Sequence, residues 1–270
     1  MAAQQIGRQI HRQIEIGPVH FAWSGLEVDD LRLSQVSTFK AGTFLSAKGV
    51  RLGWALPSLW KGLDIKKKFI TRSSGNFHID EFQNPHYRAN DFLVRWSLTD
   101  MDPTWSHVNG WAKLEQGTGL LQNIDQLMTT SPSTKIALTP VLALMNLERL
   151  GFLKLGLPDL SHWPIQGIHG DYAFNDGRMT IKQFVIDSPQ LGMETTGIVE
   201  LASGALSLEV QLHAPGNTRM GALDAKLRIS GTTAHPKVDL TNLKKKAFQA
   251  TISNFLQSPE GAKALQNLFR

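Results

Sequence analysis

The stretch from Gly177 to Gly231 constrains the fold more than any other, because apolar and polar residues alternate along it in runs broken by short Gly, Ser and Pro turns. Leu191, Met193, Thr195, Gly197, Val199 and Leu201 form one series. Leu206, Leu208, Val210 and Leu212 form a second, and Leu223, Ala225, Leu227 and Ile229 a third. Between them stand Glu200, Glu209, Gln211, Asp224, Lys226 and Arg228, which a strand turns to its opposite side. Ser203, Gly204 and Ala205 make a tight reversal, with glycine where a Cβ would resist the backbone. This is the pattern of an antiparallel sheet with one apolar and one polar face, and it argues against a parallel sheet covered by helices on both sides. The apolar face has to meet its own helices, another sheet or an apolar ligand.

The amino-terminal third also reads mostly as sheet. IEIGPVHFAW, then Leu26, Val28, Leu31 and Leu33, then Phe44 to Trp54, then LDIKKKFITRS and GNFHIDEF are strand material, with Asp29 and Asp30 hinting at a register irregularity. QNPHYRAN connects to a strand through Phe92, Val94 and Trp96, and Met101 to Thr104 make a turn before HVNGWAKLEQ. Helical spacing is expected over residues 2–12, at the turn 57–60, and from Leu120 through Leu121, Ile124, Leu127 and Met128. It resumes over 137–150, and the chain is expected to end in a helix carrying Leu243, Ala247, Phe248, Thr251, Ile252 and Phe255 on one side. Ser258 and Pro259 would start a short last helix. The expected division is 1–82, amino-terminal strand repeats; 83–119, a connecting β segment; 120–160, a helical insertion or cap; 161–242, a carboxyl-terminal sheet; and 243–270, a basic amphipathic tail.

At 270 residues the chain can bury a substantial core as one extended domain or two smaller ones. It has no cysteine, which removes disulfides and thiolate chemistry. The formal charge of +5 is modest and concentrated after His235, where Lys237, Lys244, Lys245, Lys246, Lys263 and Arg270 outweigh Asp239 and Glu260. Such a tail could meet anionic phospholipid or nucleic acid, and a solvated helix face is the commoner explanation. No apolar run reaches the roughly 18 residues of a membrane span, and MAAQQIGRQIHRQ has no hydrophobic signal core. The chain as given is therefore expected to be soluble or peripheral, with any anchor or export signal absent from it.

Motifs for chemistry are sparse. There is no GxGxxG after a strand, no P-loop and no HExxH. His162 and His169 lack compact metal spacing, and Ser203 belongs to a hairpin turn. Asp29 with Asp30 and Asp80 with Glu81 are neighbours along strands, which does not focus two carboxylates across one bond. Tryptophans 54, 60, 96, 105, 111 and 163 suit core or interface better than base stacking, so no nucleic-acid partner is expected. No cofactor, no metal and no enzymatic activity are expected.

Two long segments carry a family resemblance. IQGIHGDYAFNDGRMTIKQFVIDSPQLGMETTGIVELASGALSLEVQLHA followed by LRISGTTAHPKVDL resembles the carboxyl-terminal region of the AsmA-like family of bacterial envelope proteins, related to the bridge-like β-groove lipid-transfer proteins. The helices LLQNIDQL and LALMNLERL fit the same resemblance over roughly 120–242, and IEIGPVHFAWSGLEVDDLRLS with FLSAKGVRLGW resembles its amino-terminal strand repeats. The resemblance implies a mainly β fold with helical caps, an elongated antiparallel curved sheet forming an open apolar groove. It also implies a place on the periplasmic side of the inner membrane and a role in outer-membrane assembly or homeostasis by binding or transferring phospholipid. No catalytic motif is carried across.

Combined with the alternation, the resemblance makes Val199, Leu201, Leu206, Leu208, Val210, Leu212, Leu227 and Ile229 the candidate lipid-groove residues, with Gly177, Gly204, Gly231 and Pro236 as structural turns. The expected partners are phospholipid acyl chains, with an anionic membrane surface or envelope proteins as further partners. The alternative is a noncatalytic envelope scaffold that binds proteins through a strand edge or the terminal helix. Continuous apolar volume along the sheet favours lipid binding; a filled core with an exposed apolar edge favours the scaffold.

Overall fold

The computed structural model describes residues 12–35, 38–54, 63–64, 69–122, 162–214, 223–239 and 241. Their strands are β1 (Ile14–Ile16), β2 (Val19–Ala22), β3 (Gly25–Ser34), β4 (Thr43–Trp54), β5 (Leu63–Asp64), β6 (Phe69–Ile70), β7 (Ser73–Gln83), β8 (Tyr87–Thr99) and β9 (Asn109–Gln116). They continue as β10 (Gly119–Gln122), β11 (His162–Ile165), β12 (Gly167–Asn175), β13 (Arg178–Asp187), β14 (Gly192–Glu200), β15 (Ala205–Ala214), β16 (Leu223–Thr232) and β17 (Pro236–Asp239). All but β5 and β6, which pair with each other, join one antiparallel sheet whose main path runs β1-β3-β4-β7-β8-β9-β12-β13-β14-β15-β16-β17, with β2 paired to β3 and β10 paired to β8 and β11 off that path. Strand spacing makes this path roughly 50 Å long. Its two ends do not pair, so the sheet is elongated and open.

Turn chemistry sets the hairpins. Asp176 and Gly177 both have positive φ, 49° and 73°, and form the two-residue loop between the paired residues Asn175 and Arg178. A left-handed backbone at both positions matches the twist of the flanking strands. Gly204 (φ 68°) and Gly231 (φ 92°) are left-handed as well, and Pro236 faces Gly231 as the first residue of the edge strand β17, where no ladder donor is needed on the outer side.

The helical caps expected on this sheet are corrected. Among the described residues, helical conformation is confined to the 3-10 turn Phe39–Ala41 and to Thr241. Leu120 and Leu121, read as the start of a helix, lie in β10, whose two edges are both filled: Leu121 pairs with Tyr87 of β8 on one side and Trp163 of β11 on the other. Ladder bonding on both edges overrides a helical spacing carried by four residues. The expected curvature is corrected too, since the sheet is uncurled. The helices expected within 2–11, 57–60, 123–160 and 243–270 lie outside the described residues.

The irregularity expected at Asp29 and Asp30 is a reversal of facing. The β3–β4 register is unchanged across it, from Val28 opposite Val50 to Asp30 opposite Lys48. The same break crosses four adjacent strands, as Val28-Asp-Asp-Leu31, Ala47-Lys-Gly-Val50, Ile79-Asp-Glu-Phe82 and Ala89-Asn-Asp-Phe92. Gly49 and Asp91 have positive φ at this level, 59° and 51°. Consecutive polar residues share the outer side, and apolar residues return to the apolar face on both flanks. There Leu31 faces Ala47, Ala47 faces Phe82, and Phe82 faces Ala89.

Two apolar clusters hold the sheet. The larger joins Met193, Leu206, Leu208, Val210, Leu212, Leu227 and Ile229 to Leu121, Trp163, Ile165 and Leu191. Ser188 Oγ anchors it, accepting from Trp163 Nε1 at 2.8 Å and from the backbone N–H groups of Gln190 and Leu191. The smaller comprises Leu98, Met101 and Val108, with Trp96, Phe174 and Leu201 against them.

Candidate functional site

Residues directly opposite one another in an antiparallel ladder point to the same side. Following these pairs gives one transverse row: Phe21, Leu26, Leu52, Phe77, Val94, Leu114, Gly170, Phe184, Thr195, Val210 and Leu227. A parallel row runs Trp54, Gly75, Trp96, Ala112, Tyr172, Ile181, Gly197, Leu208, Ile229 and Val238. The apolar face is therefore continuous from β2 to β17, an open apolar groove, and Trp54 and Trp96 belong to it with the small Gly75 between them.

Exposure along the first row falls from one end to the other. Phe21 is 79% exposed, Leu26, Leu52, Phe77, Val94 and Leu114 are half-buried, and Val210 and Leu227 are 1% exposed. Half of the face is thus closed into core, and the half over β3, β4, β7, β8 and β9 stays open to an apolar occupant.

The candidate groove residues fall mainly at the closed end. Val199, Leu206, Leu208, Val210, Leu212, Leu227 and Ile229 share the face and are buried together in the larger cluster. Leu201 is separate: it sits in the turn after β14 and packs on the smaller cluster. The half-buried residues Leu26, Val50, Leu52, Phe77, Val94 and Leu114 were missed, because the facing reversal interrupts strict alternation. The signal that aligns β3, β4, β7 and β8 is the recurring apolar-polar-polar-apolar quartet, which fixes the facing of Leu26, Val50, Leu52, Phe77 and Val94; Leu114 follows from its pairing with Val94.

The opposite face is polar and crossed by ion pairs: Lys48 with Glu81 at 2.7 Å, Arg178 with Glu200 at 2.8 Å and Lys226 with Glu209 at 3.1 Å. It carries an open depression of about 860 Å³ whose lining includes His169, Gln183, Asp187, Glu194 and His213. One group with metal-ligand chemistry comes together among the described residues, His78, Asp80 and Asp91, with donor atoms within 4.8 Å of one another. Arg51 already occupies it. The guanidinium bonds Asp80 and donates from Nη2 to His78 Nδ1 at 2.7 Å, so Nδ1 accepts and Nε2 carries the ring proton. A fixed cation there neutralises Asp80 and takes the His78 lone pair that a metal would need, which makes the group an ion-pair network across β4, β7 and β8.

At the rim formed by the β8–β9 loop, Asp102 accepts from Thr104 and Ser106 and is held well below the usual carboxylate range, first by the Thr104 hydroxyl. Beside it, His107 is raised by its contact with Asp176, Nδ1 to Oδ1 at 3.0 Å. Both are exposed turn-stabilising contacts.

Comparison with protein-family profiles, with characterised proteins and with solved structures finds no match to this chain. Among the described residues, no helix is long and apolar enough to cross a membrane. The geometry itself, an elongated open sheet with a continuous apolar face, is consistent with groove-forming lipid-binding scaffolds.

Proposed function

We propose that this chain is a noncatalytic lipid-binding protein that shelters phospholipid acyl chains on the open half of its apolar face. We place it, on the resemblance in its carboxyl-terminal strands, with the AsmA-like proteins of the bacterial envelope, where it would bind or transfer phospholipid in support of the outer membrane. The observation that carries the reading is the half-buried stretch from Leu26 to Leu114, apolar across five neighbouring strands. Removing an acyl chain from water contributes about 0.8 kcal/mol per CH₂, so ten methylenes supply roughly 8 kcal/mol before ordering costs. Binding of this kind needs no charged clamp.

Native mass spectrometry of gently purified protein, with identification of the extracted lipid, tests it. Phospholipid adducts that disappear in a folded Val94→Asp variant are the expected result. A lipid-free wild-type protein that also refuses added phospholipid would overturn the reading and favour the scaffold.

A further inference from the structure

The turn joining β2 to β3 exposes two aromatic side chains almost completely, Phe21 at 79% and Trp23 at 92%, with Ile16 and Val19 exposed beside them. Sheet pairing gathers uncharged residues around this turn. Gly25 faces Gly53, Leu52 faces Phe77, Trp54 faces Gly75, and Ser73, Ser74 and Gly75 face Leu98, Ser97 and Trp96. Among the described residues, the corner made of 21–26, 52–54, 73–77 and 96–99 contains no charged side chain, and the charged residues next to it in the chain, Glu27, Arg51, Arg72, Arg95 and Asp100, are of both signs.

We propose that this corner is a membrane-contact tip, at which Phe21 and Trp23 insert into the interfacial layer of a phospholipid bilayer. A convex turn encloses no soluble ligand. A stable protein partner needs roughly 800 Å² from each side, whereas two aromatic side chains supply about 150–250 Å² apiece. A bilayer interface takes up each side chain individually, Trp at headgroup level and Phe at the boundary with the acyl chains. Insertion of these two side chains needs no anionic headgroup, so binding to zwitterionic vesicles is expected. Phe21 is also the first residue of the transverse apolar row, so the tip would deliver acyl chains onto the open face. That consequence rests on the proposed lipid-binding function; the membrane contact does not.

The test is flotation of the full chain with phosphatidylcholine vesicles, comparing wild type with the Phe21→Ser, Trp23→Ser double variant and checking both folds by circular dichroism. The expected loss in vesicle affinity is roughly tenfold or more. Because the chain has no cysteine, Ser24→Cys provides a single spin-label site in the turn. Its relaxation by oxygen should rise on vesicle binding, while a label at Ser207, exposed on the polar face, should not change. Absence of flotation by wild type, or equal flotation of the double variant, would overturn the proposal. So would a concentration-dependent self-association lost in the double variant without vesicle binding, which would assign the tip to a second copy of the chain. Native mass spectrometry of the double variant separates the two readings: retained lipid adducts with lost flotation isolate the tip from the groove.

Discussion

Tyr87, the first residue of β8, donates its phenolic proton to Oε1 of Gln116, the last residue of β9, at the point where β8 exchanges one partner for another. β8 pairs with β9 from Leu93 to Thr99 and with β10 from Tyr87 to Ala89. Between the two ladders, Asn90 N–H donates to Thr118 at 2.9 Å and Gly117 N–H donates to the Asn90 carbonyl at 3.0 Å. Gln116 is buried, so its amide oxygen depends on Tyr87.

Tyr87→Phe is expected to destabilise the protein by about 1–3 kcal/mol, because it strands a buried acceptor. Denaturant unfolding measures this; a change near zero would show that another donor reaches Gln116.

Alkaline unfolding should follow from the two tyrosines, the whole complement of the chain. Burial pushes Tyr172 up to about 12, and burial raises Tyr87 beyond the usual phenol range. A raised folded pKa means that the stability contribution is complete below the unfolded value of about 10 and is lost as pH rises toward the folded values. Tyrosinate absorbance should stay flat through pH ~10 and then rise together with loss of the sheet signal. Gradual ionisation near pH ~10 with the sheet intact would contradict the burial.

Gly197 and Gly192 stand five residues apart and should respond oppositely to alanine. Gly197 has φ 140° and a Cβ there would lie 2.3 Å from the Ser207 carbonyl oxygen, whereas the nearest atoms to a Cβ on Gly192 are at 3.6 and 3.7 Å. Gly197→Ala should cost about 2 kcal/mol or more, while Gly192→Ala should be neutral or gain up to about 1 kcal/mol. Thermal denaturation of the two variants checks the contrast.

The exposure gradient predicts unequal costs for truncation on one face. Leu212→Ala, fully buried, should lose about 2–5 kcal/mol, and Val94→Ala, half-buried on the open side, about 1 kcal/mol or less. Equal losses from chemical denaturation would mean that the face is closed throughout.

The His107–Asp176 contact makes the rim sensitive near neutrality. The raised His107 pKa means that the contact contributes fully below about pH 6.5 and fades as pH climbs through the higher folded value. Asp176→Asn should return the imidazole toward its ordinary titration, as followed by its NMR shifts; an unchanged titration would remove Asp176 as the cause.

The sequence disclosed the closed half of the sheet because Leu206, Leu208, Val210 and Leu212 alternate without interruption between two turns. It disclosed the open half less well. In β3, β4, β7 and β8 paired polar residues reset the alternation, so a period of two finds only fragments. Leu121 misled because its helical spacing with Ile124 and Leu127 is a local signal, whereas its pairing with Tyr87 and Trp163 is long-range. The burial gradient was invisible for a related reason: Leu52 and Leu212 are the same residue type in the same alternation, and only the third dimension gives one of them a cover.

An unclosed sheet in which most strands lie beside their sequence neighbours has no fixed size. A barrel must satisfy a closure condition, so adding a strand changes its radius and every tilt within it. Here an additional hairpin would lengthen the apolar surface by about 10 Å and leave distant strands undisturbed. The reach of such a protein is set by counting hairpins, which makes length a quantity that duplication or deletion can adjust in steps.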